Sequence, residues 1–143
     1  MMKLSKKTRV LVVEDDLSQQ AFWGAIVGKC IGQVEIDWAV SGEEAKRMIE
    51  NSAKRRPYRL VISDLFLAGS ETGFDLLELA NELRLDLLFV LVSAAEENRL
   101  HAKTQHIRIP HIVLSKPLKA PRCEQVIGDF FIHSSVSKLQ EAE

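Results

Sequence analysis

Three consecutive carboxylates, Glu14, Asp15 and Asp16, directly follow the apolar run "RVLVV" near the start of the chain. Three further polar side chains follow later apolar runs: Asp64, Ser93 and Lys116. Carboxylate oxygens bind hard divalent cations, and a hydroxyl and an ammonium group can stabilise an anion such as a phosphoryl group. If the fold gathers these side chains, they could perform metal-assisted phosphoryl transfer.

The apolar runs alternate with helical patterns along the whole chain. They predict five strands, over residues 9–15, 34–40, 58–65, 86–93 and 111–116. The patterns that follow them predict five helices, over residues 18–30, 41–52, 73–84, 95–106 and 121–133. Strands that alternate with helices and read as continuous apolar runs indicate an α/β fold. The expected architecture is a doubly wound parallel sheet with helices on both faces.

The carboxyl ends of parallel strands share one edge of a sheet, where α/β proteins bind ligands. Glu14, Asp15 and Asp64 would repel one another there unless a cation joined them, and Mg²⁺ suits such oxygen ligands. Lys116 could neutralise a phosphoryl group that Asp64 accepts. Each residue also has a simpler interpretation, because strand-end carboxylates often cap helices and a "KP" dipeptide often marks a loop.

The composition limits the classes of function. The 143 residues predict one domain, with 46% hydrophobic residues for its core and a net charge of -1, which gives no reason to expect nucleic-acid or membrane binding. No signal peptide is expected at the N-terminus, and no apolar run approaches the roughly 20 residues of a membrane span. Cys30 and Cys123 are predicted to be reduced thiols of a cytoplasmic protein.

Five segments, in order, resemble the response-regulator receiver domain of two-component signalling, in the CheY-like superfamily. They are "VLVVEDD", "AVSGEEA", "LVISDLFLAGSETGFDLL", "LVSAAEE" and "LSKP". The resemblance implies a five-stranded flavodoxin-like sheet of order 2-1-3-4-5. It covers residues 8–133, with 1–7 as an N-terminal extension, 134–143 as a C-terminal tail and no output domain.

The resemblance also implies a metal site. Glu14 and Asp15 match the acidic pair that binds Mg²⁺, with Asp15 the expected direct ligand. Asp64 matches the aspartate that accepts the phosphoryl group and contributes to the metal site. Phe66 would offer its backbone carbonyl to the metal. Asp16, one position past the pair, is expected to start a helix.

The remaining site residues follow from the same resemblance. Ser93 matches the hydroxyl that moves to hydrogen-bond the phosphoryl oxygens, and Ala94 is the small residue expected beside it. Lys116 matches the lysine that pairs with the phosphoryl group. The peptide bond between Lys116 and Pro117 is expected to be cis.

Three features depart from the family pattern. Val113 occupies the position, three residues before the lysine, where the family usually has Tyr or Phe, which puts the usual output in doubt. The loop after Asp64, with Ala68 where the family often has Pro, is about one residue longer than usual. The spacing from the acidic pair to Asp64 is also long, and residues 51–59 are the expected place for the extra length.

The leading hypothesis is a stand-alone receiver that accepts a phosphoryl group on Asp64 from a histidine kinase or relay protein. It would then bind an unknown downstream protein or pass the group on. Its enzymatic activity would be at most magnesium-dependent self-phosphorylation and autodephosphorylation. The alternative is a phosphorylation-independent interaction module, which Val113 favours and the complete site disfavours. A phosphatase with an aspartate nucleophile is disfavoured, because such enzymes carry D-x-D where this chain has Glu14, Asp15 and Asp16.

Overall fold

The computed structural model describes residues 7–94 and 97–142 of the chain. The five strands are β1 (Thr8–Val13), β2 (Val34–Ala39), β3 (Leu60–Asp64), β4 (Leu88–Ser93) and β5 (His111–Ser115). The five helices are α1 (Leu17–Cys30), α2 (Gly42–Ala53), α3 (Gly73–Glu82), α4 (Glu97–Lys103) and α5 (Ala120–Ala142). Among these residues, no helix combines the length and apolar character that crossing a membrane requires.

The strands form one parallel sheet in the order β2-β1-β3-β4-β5, which confirms the predicted fold class and strand order. Helices cover both faces. On one face α2, α3 and α4 pack against sheet residues such as Leu11 and Phe89. On the other, α1 and α5 pack against residues such as Val10 and Val90. The strands read as continuous apolar runs because successive side chains enter two different cores.

The end of the chain differs from the prediction. We expected the last helix to stop at residue 133 and residues 134–143 to form a frayed tail, but α5 continues to Ala142. The segment "SSVSKLQEA" contains no proline or glycine that would end a helix, and its Lys, Leu, Gln, Glu and Ala residues favour one. Residues 1–6 of the expected N-terminal extension lie outside the described residues. So do residues 95 and 96, where the fourth helix was expected to begin.

A polar network holds the connector between α2 and β3, which lies within the segment predicted to contain the extra length. The Tyr58 hydroxyl donates a hydrogen bond to Asp37 Oδ2 over 2.6 Å. The Arg9 guanidinium lies 2.6 Å from the same oxygen, 3.0 Å from Glu35 Oε2 and 4.5 Å from the centre of the Tyr58 ring. Burial, with the bond to Asp37, raises the pKa of Tyr58, so its hydroxyl stays a donor. The connector is thereby fixed to the amino end of β1.

Replacing Tyr58 with phenylalanine should therefore weaken the fold. Tyr58→Phe removes the donor to Asp37 but keeps the buried ring. We expect the free energy of unfolding to fall by about 1 kcal/mol, the usual net value of such a hydrogen bond. Urea denaturation measures this loss. An unchanged urea midpoint would mean that Arg9 alone holds the connector.

Gly73 allows α3 to begin close to the end of β3. A Cβ atom at this position would overlap the Asp64 carbonyl oxygen and lie 2.8 Å from Leu91 Cδ1. The Gly73 amide also donates to the Leu65 carbonyl oxygen over 2.8 Å. Glycine is needed here because backbone and core side chains already fill the space that a methyl group would occupy.

Two glycine-to-alanine substitutions should have opposite effects. Gly73→Ala should lower the free energy of unfolding by about 2 kcal/mol, because the methyl group overpacks rigid surroundings. Gly128→Ala, within α5, should raise it by about 0.5–1 kcal/mol, because its Cβ would meet nothing within 4 Å and alanine favours the helix. Urea denaturation of both variants tests the pair. Equal stability of the two would refute the close approach at Gly73.

Candidate functional site

The predicted site residues lie at the carboxyl edge of the sheet. Asp64 and Ser93 are the last residues of β3 and β4, and Glu14 and Lys116 directly follow β1 and β5. The Lys116 amide donates to the Ser93 carbonyl oxygen over 2.9 Å, which extends the pairing of the two strands to the edge. Parallel pairing of four neighbouring strands thus brings together residues that are about 100 positions apart in the sequence.

Glu14 and Asp64 form a carboxyl pair in which Glu14 is buried and Asp64 is partly exposed. Glu14 is only 4% exposed, and its side chain is hydrogen-bonded to that of Asp64. Burial, together with the bond to Asp64, raises the pKa of Glu14 to about 8. The site therefore disfavours a negative charge on Glu14 next to Asp64. Two acids placed this close together favour a cation beside them.

Lys116 supplies a positive charge on the other side of Asp64. Its Nζ lies 3.3 Å from Asp64 Oδ1, and the lysine side chain is 42% exposed while that of Asp64 is 14% exposed. Solvent weakens this ion pair, so the ammonium group can exchange the carboxylate for another anion. The peptide bond between Lys116 and Pro117 is cis, as predicted.

The three consecutive carboxylates have three different environments. Glu14 points into the site, whereas Asp15 and Asp16 are exposed. Asp16 caps α1, because its Oδ1 accepts hydrogen bonds from the Ser18 amide at 2.8 Å and the Ser18 hydroxyl at 2.6 Å. The bonds from Ser18 lower the pKa of Asp16. The capping interpretation is therefore correct for Asp16, and the direct metal role of Asp15 stays a prediction.

Ser93 and Val113 occupy the positions that the prediction gave them. Ser93 is 2% exposed at the end of β4, and Ala94 beside it is exposed. Val113 lies opposite Leu91 in the register of β4 and β5 and packs, half-buried, against the core that α3 and α4 cover. A valine in this packed position offers no ring that could swing between an outer and an inner position. The predicted movement of Ser93 remains untested.

Three exposed apolar residues lie at the same edge of the sheet as the site, and sequence reasoning did not group them. Leu17 and Phe66 are each 77% exposed and Val40 is 51% exposed. They follow the carboxyl ends of β1, β3 and β2, so adjacent strands place all three at the same edge as Asp64. The sequence contained one indication of this group, because an apolar residue comes soon after each of these three strands. Sequence reasoning also missed Glu43, in the first turn of α2, which contacts the loop that carries Phe66.

The donor set fits Mg²⁺. In the part of the chain that the structure describes, no three His, Cys, Asp or Glu side chains form a group that could by itself hold a metal ion. Magnesium does not require such a group, because it keeps several waters and needs only one or two carboxylates. Glu14 and Asp64 provide two adjacent carboxyl groups. With the Phe66 carbonyl, whose metal role stays a prediction, the expected ligands are all oxygen atoms, which favours magnesium over zinc.

Solved structures share this fold. The chain is similar to the signal receiver domain of a putative Luxo repressor protein from Vibrio parahaemolyticus, with a TM-score of 0.76 and 24% identity over 95% of this chain and 98% of that one. It is also similar to a response regulator receiver protein from Sinorhizobium medicae, with a TM-score of 0.70 and 14% identity over 87% and 94% of the two chains. The protein therefore has the receiver-domain fold.

A third similar structure contains a metal ion. It is the receiver domain of the sensor histidine kinase PA1611 from Pseudomonas aeruginosa, with magnesium coordinated in its active-site cleft. Its TM-score is 0.64 and its identity 18%, over 85% of this chain and 95% of that one. The sequence itself matches no protein-family model and no curated protein. The similarity accordingly extends to the fold, and the chemistry must be argued from the residues.

Removing the acidity of Glu14 should stabilise the metal-free protein. Glu14→Gln keeps the size and hydrogen-bonding capacity of the side chain but removes a carboxyl group from beside Asp64. We expect the free energy of unfolding at neutral pH, in a chelator, to rise by about 1 kcal/mol, because burial and Asp64 disfavour the charged form of Glu14.

The matched control is Asp15→Asn, the same change of charge at the adjacent exposed residue. Urea denaturation should show that it alters the free energy of unfolding by no more than about 0.5 kcal/mol. A clearly lower free energy of unfolding in Glu14→Gln would show that the contact between the two carboxyl groups does not destabilise the fold.

Proposed function

We propose that the protein is a receiver of two-component signalling, which accepts a phosphoryl group on Asp64 from a histidine kinase or a relay protein. The observation that carries this proposal is the position of Asp64. Its carboxyl group lies at a sheet edge between the buried acid Glu14 and the ammonium group of Lys116. An isolated capping or turn aspartate needs neither neighbour.

The chemistry assigned to the chain is a phosphoryl transfer. An Asp64 carboxylate oxygen forms the bond to phosphorus while the bond between phosphorus and the donor's histidine nitrogen breaks, and the histidine nitrogen keeps that electron pair. Lys116 exchanges its contact with Asp64 for one with a phosphoryl oxygen, and the Ser93 hydroxyl donates to another. Glu14, Asp15, Asp64 and the Phe66 carbonyl would hold Mg²⁺, which would supply charge neutralisation for the phosphoryl group.

Signalling follows from the two forms of Asp64. Phosphorylation replaces a carboxylate with an acyl phosphate, so contacts of the site that favour one form shift the protein between two conformations. The output is binding to a downstream protein or transfer of the phosphoryl group to a relay partner. The reduced thiols Cys30 and Cys123 fit action in the cytoplasm.

A second candidate function is a phosphorylation-independent interaction module with the same fold. Val113 favours it, because this packed valine replaces the aromatic residue that usually reports the phosphorylated state. The pair of Glu14 and Asp64 disfavours it, because a constitutive binding module gains nothing from placing two acids together.

Phosphorylation itself provides the test. Intact-mass spectrometry after incubation with a small acyl phosphate donor should show one added phosphoryl group on the wild-type protein, and only with Mg²⁺. Asp64→Asn should show none, because the amide cannot act as the acceptor. The matched control is Asp86→Asn, the same substitution at an exposed residue near the opposite edge of the sheet, which should be phosphorylated like wild type.

An adduct on Asp64→Asn would place the acceptor elsewhere and contradict the proposal. If no adduct forms under any condition, and beryllofluoride with Mg²⁺ also fails to bind the wild-type protein, the interaction module becomes the better account.

A further inference from the structure

The loop from β3 to α3, residues 65–72, is anchored to the first turn of α2. Glu43 Oε1 accepts hydrogen bonds from the Ser70 amide at 2.8 Å, the Ser70 hydroxyl at 3.1 Å and the Glu71 amide at 2.7 Å. The backbone at Ala68 also pairs with that at Ser41, the residue that caps α2. One helix end therefore holds the outer half of the loop through both backbone and side chain.

Gly69 makes the contact with Glu43 possible. Its φ of +91° lies in the left-handed region, which glycine adopts without strain. This conformation lets the two following amides converge on one point and form a small backbone nest for an anion. The Glu43 carboxylate fills the nest so closely that a Cβ at Gly69 would overlap it. The bonds from this loop, that of the Glu71 amide first, lower the pKa of Glu43.

The inner half of the loop carries the predicted metal ligand. Leu65 is held on β4 by its amide, which donates to the Val92 carbonyl oxygen over 2.8 Å. The next anchors are the backbone pairing at Ala68 and the nest that Glu43 fills. Phe66 lies between these anchors, and its side chain is 77% exposed, so packing does little to hold it in place. The place of its carbonyl therefore depends on the anchors of the loop.

We propose that Glu43 is a positioning residue for the magnesium site, which fixes the long loop after Asp64 so that the Phe66 carbonyl can bind the metal. The inference rests on the proposed function, because that function supplies the metal. Glu43 itself does not bind the ion. Its role compensates for the extra residue of this loop, since a longer unanchored loop would have more conformations to lose when the ion binds.

Magnesium affinity provides the test, measured by calorimetry on the full chain without any phosphoryl donor. Glu43→Ala removes the acceptor from the nest and should raise the Kd for Mg²⁺ about tenfold, the lower end of the effect of losing a supporting contact. Glu43→Gln keeps a carbonyl oxygen that can accept the same bonds and should stay within about threefold of wild type. The glutamine variant separates positioning from the simple loss of a negative charge near the ion.

Two controls separate this effect from general changes in charge or stability. Glu50→Ala removes an exposed glutamate from the same helix and should leave the Kd unchanged. Tyr58→Phe weakens the fold at the opposite edge of the sheet and should also leave the Kd unchanged. Hydrogen exchange at the Ser70 and Glu71 amides should accelerate in Glu43→Ala and remain slow in both controls.

The outcomes distinguish failure of this inference from failure of the proposed function. Wild-type protein that binds no Mg²⁺ would overturn both. Wild-type protein that binds Mg²⁺, with Glu43→Ala binding it equally well, would overturn only the positioning role. Glu43→Gln binding as weakly as Glu43→Ala would also overturn it, because charge alone would then explain the loss.

Discussion

The pair of Glu14 and Asp64 is the constraint on which the carboxyl edge of this protein depends. Two acids placed side by side do not stabilise a fold, so other interactions must hold them together. The pairing of β1 with β3 does this, because it fixes the backbone immediately before both residues, with Val13 opposite Ser63. Both strands lie in the middle of the sheet and are covered on both faces. The unfavourable contact between the two acids therefore lies at the ends of two paired, buried strands.

Lys116 and Ser93 reach the same centre from the other half of the sheet. The pairing of the Lys116 amide with the Ser93 carbonyl oxygen places the two residues side by side at the ends of β5 and β4. Asp64 thus has an acid on one side and a half-exposed cation on the other. An anion would approach the half-exposed ammonium group of Lys116, whereas a cation would approach the carboxyl groups of Glu14 and Asp64. The opposite charges lie on opposite sides of Asp64 because Glu14 follows β1 and Lys116 follows β5, on either side of β3.

The sequence was sufficient for the fold and for placing Glu14, Asp64, Ser93 and Lys116 at one edge of the sheet, because both follow from local patterns. Continuous apolar runs identify buried parallel strands, and the polar residue after each run must lie at their common edge. Local patterns alone could not assign separate roles to the three adjacent carboxylates. The direction that the chain takes after β1 determines that Glu14 is buried and that Asp16 caps α1. Local patterns also missed Glu43, whose partners lie 27 and 28 residues away in an irregular loop. Residue propensities predict local structure and cannot predict a contact between positions so far apart in the sequence.

Two connections predicted to be longer than in the receiver pattern flank β3, at opposite edges of the sheet. The connector before β3 is held by Tyr58, which contacts Asp37 of the edge strand β2 and Arg9 of the neighbouring strand β1. The loop after β3 is held by Glu43, through the nest that Gly69 opens. Extra residues in a loop add little free energy by themselves, but they leave the loop free to move. A side chain from a neighbouring element removes that freedom at both ends of β3. The strand that carries Asp64 is therefore fixed at its entry and its exit.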